Sequence, residues 1–113
     1  MVTPAAGAVV LVPFPFSDLS RSKLRPAVLL AEAGRGDWIL CQITSNPYGD
    51  SQATMLTNAS FSSGSLQLTS YARSAKLFTA SRDLMVTQVG TLKVDTLRQI
   101  IETVIGVLRA SLS

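Results

Sequence analysis

Residues 27–43 read AVLLAEAGRGDWILCQI, two apolar runs separated by a short polar segment. Valine, leucine, isoleucine and tryptophan are frequent in these runs, and each run has the length of a β-strand. The two glycines of the GRGD segment, residues 34–37, can adopt positive φ and close a tight turn. The stretch therefore predicts an antiparallel β-hairpin and sets the fold class expected for the rest of the chain.

Similar short apolar runs lie on both sides of this hairpin: VVLVPF from Val9, TMLT from Thr54 and AKLFTA from Ala75. Most of the runs are bounded by glycine, proline, serine or asparagine, which commonly flank strands. We expect a further tight turn at the GSL segment, residues 64–66, and a short sixth strand within residues 82–90. Closely spaced strands with hairpin signals are typical of an antiparallel, barrel-like sheet.

The last part of the chain changes from the period of a strand to that of a helix. Its apolar residues recur at the i, i+3, i+4 and i+7 spacing of an amphipathic helix: Leu97, Ile100, Ile101, Val104, Ile105 and Leu108. We expect a helix from Val94 to Ala110, with Thr91 as its N-cap and Asp95 near the positive end of the helix dipole. The sequence thus predicts one domain, residues 1–113, with a mainly β fold: a curved antiparallel sheet followed by a C-terminal helix.

Composition argues against several kinds of site. The 113 residues include no histidine and a single cysteine, Cys41, so an intrachain disulfide is impossible and a zinc site is close to excluded. Cys41 lies within the apolar run WILCQI and is expected in the core. No signal peptide or bilayer-length apolar stretch is evident, which predicts a cytoplasmic protein. We also expect no metal or cofactor, because histidine, the commonest metal ligand, is absent. The net charge of +3 permits an anionic partner such as nucleic acid.

The first of three polar segments is FPFSDLSRSKLRP, residues 14–26, which we expect to form a loop between two strands. Arg25 stands at its end, just before the apolar run that begins at Ala27, and is expected at the mouth of that strand. The aromatics and cations of the segment suit stacking on bases and binding of phosphates. Composition alone favours the alternative that the phenylalanines belong to the core and the cations are solvated.

Two further polar segments follow buried runs. QITSNPYGD, residues 42–50, carries hydroxyl and amide groups that can bind phosphate or base edges, although turn chemistry alone explains Ser-Asn-Pro at the end of a strand. SYARSAK, residues 70–76, adds Tyr71, Arg73 and Lys76, although an ordinary edge strand would also carry lysine. Both segments are candidate contacts for phosphates or bases, and each has a structural alternative.

Four segments, GAVVLVPFPFSDLSRSKLRPAVLL, CQITSN, GSL and SYARSAKLFT, together resemble the PemK and MazF family of toxins from bacterial type II toxin–antitoxin systems. The similarity covers nearly the whole chain in the expected order. It implies a small SH3-like antiparallel barrel with a C-terminal helix, a homodimer, and an endoribonuclease that cuts single-stranded RNA and so inhibits translation and growth. It also implies an antitoxin partner whose acidic, poorly ordered segment covers the active site.

The resemblance assigns catalysis to Arg25, which precedes Pro-Ala, and to Thr44, which follows the third strand. Cleavage would be metal-independent attack of the RNA 2′-hydroxyl on the adjacent phosphorus, leaving a cyclic phosphate. Arg25 would then donate bidentate hydrogen bonds to the phosphoryl oxygens as charge develops on them. The expected RNA-binding residues are Phe16, Asp18, Arg21, Lys23, Ser45, Asn46, Tyr71, Arg73 and Lys76.

The chain departs from the family's pattern at two positions. Ala8 replaces an aspartate that members often carry after the first-strand glycine, and Ala75 replaces an acidic residue implicated as catalytic base in some members. Asp18 is then the candidate base, because it shares a loop with Arg25. Two alternatives stay open: a non-catalytic toxin that, like the related CcdB-like toxins, binds a protein such as DNA gyrase, or a degenerate member that only binds its antitoxin.

Overall fold

The structure, a computed structural model, describes residues 2–15 and 22–112. The strands in this part of the chain are β1 (Ala8–Pro15), β2 (Ser22–Gly34), β3 (Asp37–Thr44), β4 (Ala53–Leu56), β5 (Phe61–Gly64), β6 (Ser70–Ser81) and β7 (Thr87–Leu92). They form one antiparallel sheet in the order β4-β6-β3-β2-β1-β7-β5, which curls into a half-barrel. Helix α1 (Val94–Arg109) follows the sheet. The expected fold class, a mainly β protein with a C-terminal helix, is therefore confirmed.

The predicted hairpin is formed by β2 and β3. Gly34 pairs with Asp37, so the connecting loop consists of Arg35 and Gly36. The φ angles are +56° at Arg35 and +82° at Gly36. Positive φ at both loop residues is the requirement of a type I′ turn, whose twist matches that of the strands it joins.

The β1–β2 ribbon is longer than the sequence suggested. Its pairing runs from Val9–Val28 to Pro15–Ser22, so residues 22–26 belong to a strand and the expected loop over residues 14–26 is wrong. Arg25 pairs with Val12 inside this ribbon and does not stand at a strand mouth. Side chains 23–25 are all exposed, so backbone pairing with β1 holds this end of β2. Apolar patterning cannot detect a strand that buries so little.

The structure also corrects one expectation and part of one alternative for the middle of the chain. Gly64 ends a short strand, β5, and residues 65–69 form a loop where a tight turn was expected. The alternative of an edge strand over residues 70–76 fails for residues 70–73, which are paired with β4. β5 escapes apolar patterning because only Phe61 is buried among its four residues.

Apolar side chains are buried on both faces of the sheet. One cluster contains Val9, Val28, Leu30, Cys41, Ile43, Leu56, Phe61, Ala72, Leu92 and Ile100. The other contains Ala8, Val10, Val12, Ala27, Leu29, Trp38, Leu40, Ala80 and Met85. Successive residues of a strand point to opposite faces, so strands that are covered on both faces read as continuous apolar runs.

Helix α1 packs on the first cluster through Ile100, which is fully buried. The helix has the expected limits to within one residue, and Asp95 lies in its first turn as predicted. Thr91 is not the N-cap, because β7 continues to Leu92 and Lys93 takes that position. Within the described residues, no helix has the length and apolar content needed to cross a bilayer.

Two glycines predict opposite effects of the same substitution. A Cβ at Gly64, where φ is +69°, would overlap the backbone oxygen of Val89, whereas a Cβ at Gly106 in α1 would contact nothing. We expect Gly64→Ala to lower the free energy of unfolding by about 2 kcal/mol, through strain and overpacking. Gly106→Ala should raise it by about 0.5–1 kcal/mol, through the higher helix propensity of alanine. Urea denaturation of both variants tests this, and shifts of the same sign would contradict it.

Candidate functional site

A cleft of about 320 Å³ opens where β2, β3, β6 and the loop after β3 meet. Its lining residues are Arg25, Gln42, Ile43, Thr44, Tyr48, Arg73 and Lys76. Three of these seven residues are cationic and none of them is acidic. The cleft is therefore suited to an anionic ligand.

Strand register brings the two expected catalytic residues to the same place. Ala27 on β2 pairs with Gln42 on β3. Arg25 lies two residues before Ala27 and Thr44 two residues after Gln42, so both lie at the same end of this antiparallel pair. Residues two apart in a strand share a face. The cleft thus joins four of the predicted site residues: Arg25, Thr44, Arg73 and Lys76.

The hydroxyl of Thr44 also takes part in the turn that follows β3. Its Oγ1 donates a hydrogen bond to the backbone oxygen of Asn46 at 3.1 Å and accepts one from the Asn46 N–H at 3.2 Å. Asn46 Oδ1 in turn accepts a hydrogen bond from the Tyr48 N–H at 2.9 Å. Thr44 can therefore stabilise this turn and also contact a ligand in the cleft, since a hydroxyl has one donor and two acceptor sites and can rotate.

Arg73 is held firmly at the edge of the cleft. Its Nε donates a hydrogen bond to Asp50 Oδ2 at 2.9 Å, and the two side chains are only 20% and 11% exposed, respectively. Asp50 Oδ1 accepts a second hydrogen bond, from the Gln52 N–H at 2.8 Å. The guanidinium carbon of Arg73 lies 6.0 Å from the centre of the Tyr48 ring. The arginine is thus in contact with a carboxylate and an aromatic ring.

Four residues of the site were not predicted from the sequence: Gln42, Ile43 and Tyr48, which line the cleft, and Asp50, which holds Arg73. All four belong to the QITSNPYGD segment, from which the sequence analysis selects only Thr44, Ser45 and Asn46. Tyr48 could have been selected from the sequence, because it is an aromatic residue in a polar loop that follows a buried strand. The ion pair of Asp50 joins residues 23 positions apart. Its partner could not be identified without the pairing of β4 with β6.

The Asp50–Arg73 pair predicts a specific pH dependence of stability. The hydrogen bond from Arg73, aided by that from Gln52, lowers the pKa of Asp50 below its ordinary value of 3.8. A carboxyl whose pKa is lower in the folded protein stabilises it above the unfolded pKa, and this contribution is lost as the pH falls through the folded pKa. We expect the excess stability of wild type over Asp50→Asn to be constant from neutral pH to about pH 4 and to shrink below it.

The measurement is urea denaturation of both proteins across this pH range. A stability difference that grew on acidification would contradict the assignment of the lowered pKa to Asp50.

Cys41 is a core residue, as predicted, and not a nucleophile. It is fully buried, and its thiol donates a hydrogen bond to the backbone oxygen of Arg73 at 3.0 Å. Burial raises the pKa of the thiol to about 12, with Asp50 adding to the effect. A neutral, inaccessible thiol is unreactive. Among the described residues, no cluster of three or more histidine, cysteine or acidic residues could hold a metal ion.

The remaining predicted contacts lie outside the cleft lining. Ser45 and Asn46 are exposed beside the cleft, and Tyr71 is half-buried and pairs with Thr44. Lys23 is exposed on the β1–β2 ribbon. Three others fall outside the described residues: Phe16, Asp18 and Arg21.

Comparison with known proteins identifies one family. The family model of the PemK-like, MazF-like toxins of type II toxin–antitoxin systems matches residues 5–108. No curated protein sequence matches the chain.

Several solved structures have the same fold. MazF from Deinococcus radiodurans superposes with a TM-score of 0.74 at 20% identity, over 96% of this chain and 98% of that chain. A MazE–MazF complex from the same organism gives 0.73 at 20% identity, over 93% and 95% of the two chains. An endoribonuclease in complex with its cognate antitoxin, from a mycobacterial species, gives 0.73 at 14% identity, over 94% and 95%. Identities this low establish only the fold, whereas the family match covers nearly the whole chain. The chain belongs to the PemK-like, MazF-like toxin family of type II toxin–antitoxin systems.

Proposed function

We propose that the protein is a metal-independent endoribonuclease that cleaves single-stranded RNA. The 2′-hydroxyl oxygen attacks the adjacent phosphorus, the bond to the 5′-oxygen of the next nucleotide breaks, and a 2′,3′-cyclic phosphate and a 5′-hydroxyl result. The observation that carries this proposal is the cleft that gathers Arg25, Arg73 and Lys76 around the Thr44 hydroxyl. Such a set of donors fits a phosphodiester.

Arg25 acts as the main stabiliser of the transition state. It extends from β2, where the backbone is paired with Val12 of β1, two residues before the pairing with β3 begins at Ala27. A guanidinium on a rigid backbone can donate two parallel hydrogen bonds to the phosphoryl oxygens where charge develops. Thr44 supplies a neutral second donor after rotation of its hydroxyl.

The size of the cleft favours unpaired RNA. A volume of about 320 Å³ lies at the lower end of the range for small-ligand pockets. We therefore expect the cleft to accept a nucleotide of a single strand and to exclude a duplex. Single-stranded segments also expose the base edges that sequence-specific recognition requires.

The proton of the 2′-hydroxyl needs an acceptor. Asp50 is a poor base, because both of its oxygens accept hydrogen bonds and its pKa is lowered by Arg73. Asp18 is kept as the candidate base, and it lies outside the described residues. We expect slow turnover, with catalysis dominated by charge stabilisation at the phosphate.

We propose three further properties from family membership. The partner is a cognate antitoxin, as in the MazE–MazF complexes among the structural neighbours, and its acidic disordered segment binds the cationic cleft. The toxin is a homodimer. It acts in the cytoplasm on mRNA, and the cuts inhibit translation and growth.

Cleavage of a long, weakly structured RNA by the purified protein in EDTA tests the proposal. We expect cuts at a recurring short sequence, with 5′-hydroxyl ends. Cuts that need added Mg²⁺, or that leave 5′-phosphate ends, would contradict it. Protein that binds RNA without cutting would instead favour a non-catalytic toxin with a protein target.

A further inference from the structure

Tyr48 is an exposed aromatic residue in a polar cleft, and the proposed reaction does not use it. Its side chain lines the cleft with Arg25 and Thr44, yet the residue is 73% exposed. The Tyr48 N–H is bonded to the Asn46 side chain, which anchors the loop that carries the ring. An aromatic ring beside phosphate-binding cations is the arrangement with which proteins stack single-stranded bases.

Arg73, whose guanidinium carbon lies 6.0 Å from the centre of this ring, keeps donors for a ligand. Within the described residues, the only hydrogen bond made by its side chain is that from Nε to Asp50. The Nη1 and Nη2 groups therefore retain their N–H donors. Since Arg73 also lines the cleft, these donors can reach a phosphate bound there.

Asp50 has the wrong charge for a ligand contact in this cleft. A carboxylate repels a polyanion, and Asp50 is absent from the residues that line the cleft. Both of its oxygens accept hydrogen bonds, one from Arg73 and one from the Gln52 N–H. Asp50 instead orients the guanidinium of Arg73, because the hydrogen bond from Nε restricts rotation of this planar group.

We propose that these three residues form a nucleotide subsite beside Arg25 and Thr44. Tyr48 stacks on one unpaired base, Arg73 binds a phosphate next to that base, and Asp50 is the positioning residue that holds Arg73. The inference rests on the proposed action on RNA. Because every base has a stacking face, this subsite selects an unpaired nucleotide and discriminates weakly among the four bases.

The stacking is tested by binding rather than by cleavage. The probe is a short single-stranded RNA of the mapped cleavage sequence with a 2′-deoxy nucleotide at the cut position, or an oligouridylate if no cut is found. Tyr48→Ala should weaken binding about 5- to 150-fold, whereas Tyr48→Phe, which keeps the ring, should bind like wild type.

An abasic scan of the probe identifies the stacked nucleotide. In wild type, removal of one particular base should weaken binding about as much as Tyr48→Ala does. In Tyr48→Ala, the same abasic probe should bind no worse than the intact probe, because the stacked pair is already lost. If each abasic substitution weakened the binding of wild type and of Tyr48→Ala by the same factor, the proposed stacking would be overturned.

The sign of the effect of Asp50→Asn tests its positioning role. If Asp50 acted only through its charge, its removal would tighten the binding of RNA. If Asp50 instead positions Arg73, Asp50→Asn should weaken the binding of RNA and should have no further effect in an Arg73→Ala background. In both single variants, the slope of log K against log salt concentration should be smaller in magnitude by about 0.7. Tighter binding, or an undiminished effect without Arg73, would overturn the role.

The outcomes separate this inference from the proposed function. If wild type cuts RNA and these variants bind it normally, only the subsite fails. If wild type neither binds nor cuts RNA, the proposed function and the subsite fail together.

Discussion

Arg25→Ala is expected to cleave RNA about 10²- to 10³-fold more slowly than wild type, the usual cost of losing one preorganised donor to a developing oxyanion. The side chain of Arg25 is exposed, and the backbone of its strand is paired with Val12. Truncation therefore creates no cavity, and the free energy of unfolding should stay within about 0.5 kcal/mol of wild type. A large loss of rate without a loss of stability places Arg25 in the chemistry.

Two variants sharpen this result. Arg25→Lys keeps the charge and loses the planar fork, so its rate should fall between those of wild type and Arg25→Ala. Arg109→Ala removes an exposed cation at the end of α1, outside the cleft lining. It should cut at close to the wild-type rate. Equal losses in Arg109→Ala and Arg25→Ala would mean that general positive charge, and not a specific contact, promotes cleavage.

Ile100→Ala is expected to have the largest effect on stability, a loss of about 4 kcal/mol in the free energy of unfolding. Ile100 is fully buried against the sheet and is the one buried residue within α1. Its truncation removes the anchor of the helix and leaves a cavity that the strands on the other side can fill only in part. For a small domain this is a large share of the total stability.

The matched control is Leu108→Ala, in the same helix at a residue that is 61% exposed. It should lose about 0.5 kcal/mol or less. Urea denaturation compares the two variants. Losses of similar size would show that the sheet face of α1 does not hold the helix in place.

Much of the fold was predictable because strands β1, β2 and β3 contribute buried side chains to both faces of the sheet. Apolar runs such as those ending at Ile43 locate these strands, and the 3.6-residue period locates α1 almost to its ends. The β1–β2 extension at residues 22–26 and the short strand β5 were missed. Both are held mainly by backbone pairing with little burial, and hydrophobic patterning reports only burial.

The candidate site was predictable only in part. Resemblance to a family pointed to Arg25 and Thr44, and the structure places both in one cleft. The Asp50–Arg73 pair depends on the register between β4 and β6, in which Ala53 lies opposite Arg73. Register is set by the packing of whole faces and by turn geometry, so no local stretch of sequence reveals this contact.

The exposed alanine at residue 75 bears on the rate of the proposed reaction. Its neighbour Lys76 lines the cleft, whereas Ala75 brings no carboxylate to it. The residues that line the cleft therefore provide cations and hydroxyl or amide groups and include no carboxylate. This composition favours binding and stabilisation of a phosphate over removal of a proton, and is consistent with a slow nuclease.

The most direct test of the account is cleavage of an RNA with a single 2′-deoxy nucleotide on the 5′ side of the mapped cut. The control carries the same substitution one nucleotide further along. Attack by the 2′-hydroxyl predicts that the first RNA stays intact at that site, while the control is cut at the usual position to a cyclic phosphate and a 5′-hydroxyl. Cutting of the first RNA at the wild-type rate would contradict the proposed chemistry, because the nucleophile would then have to come from elsewhere.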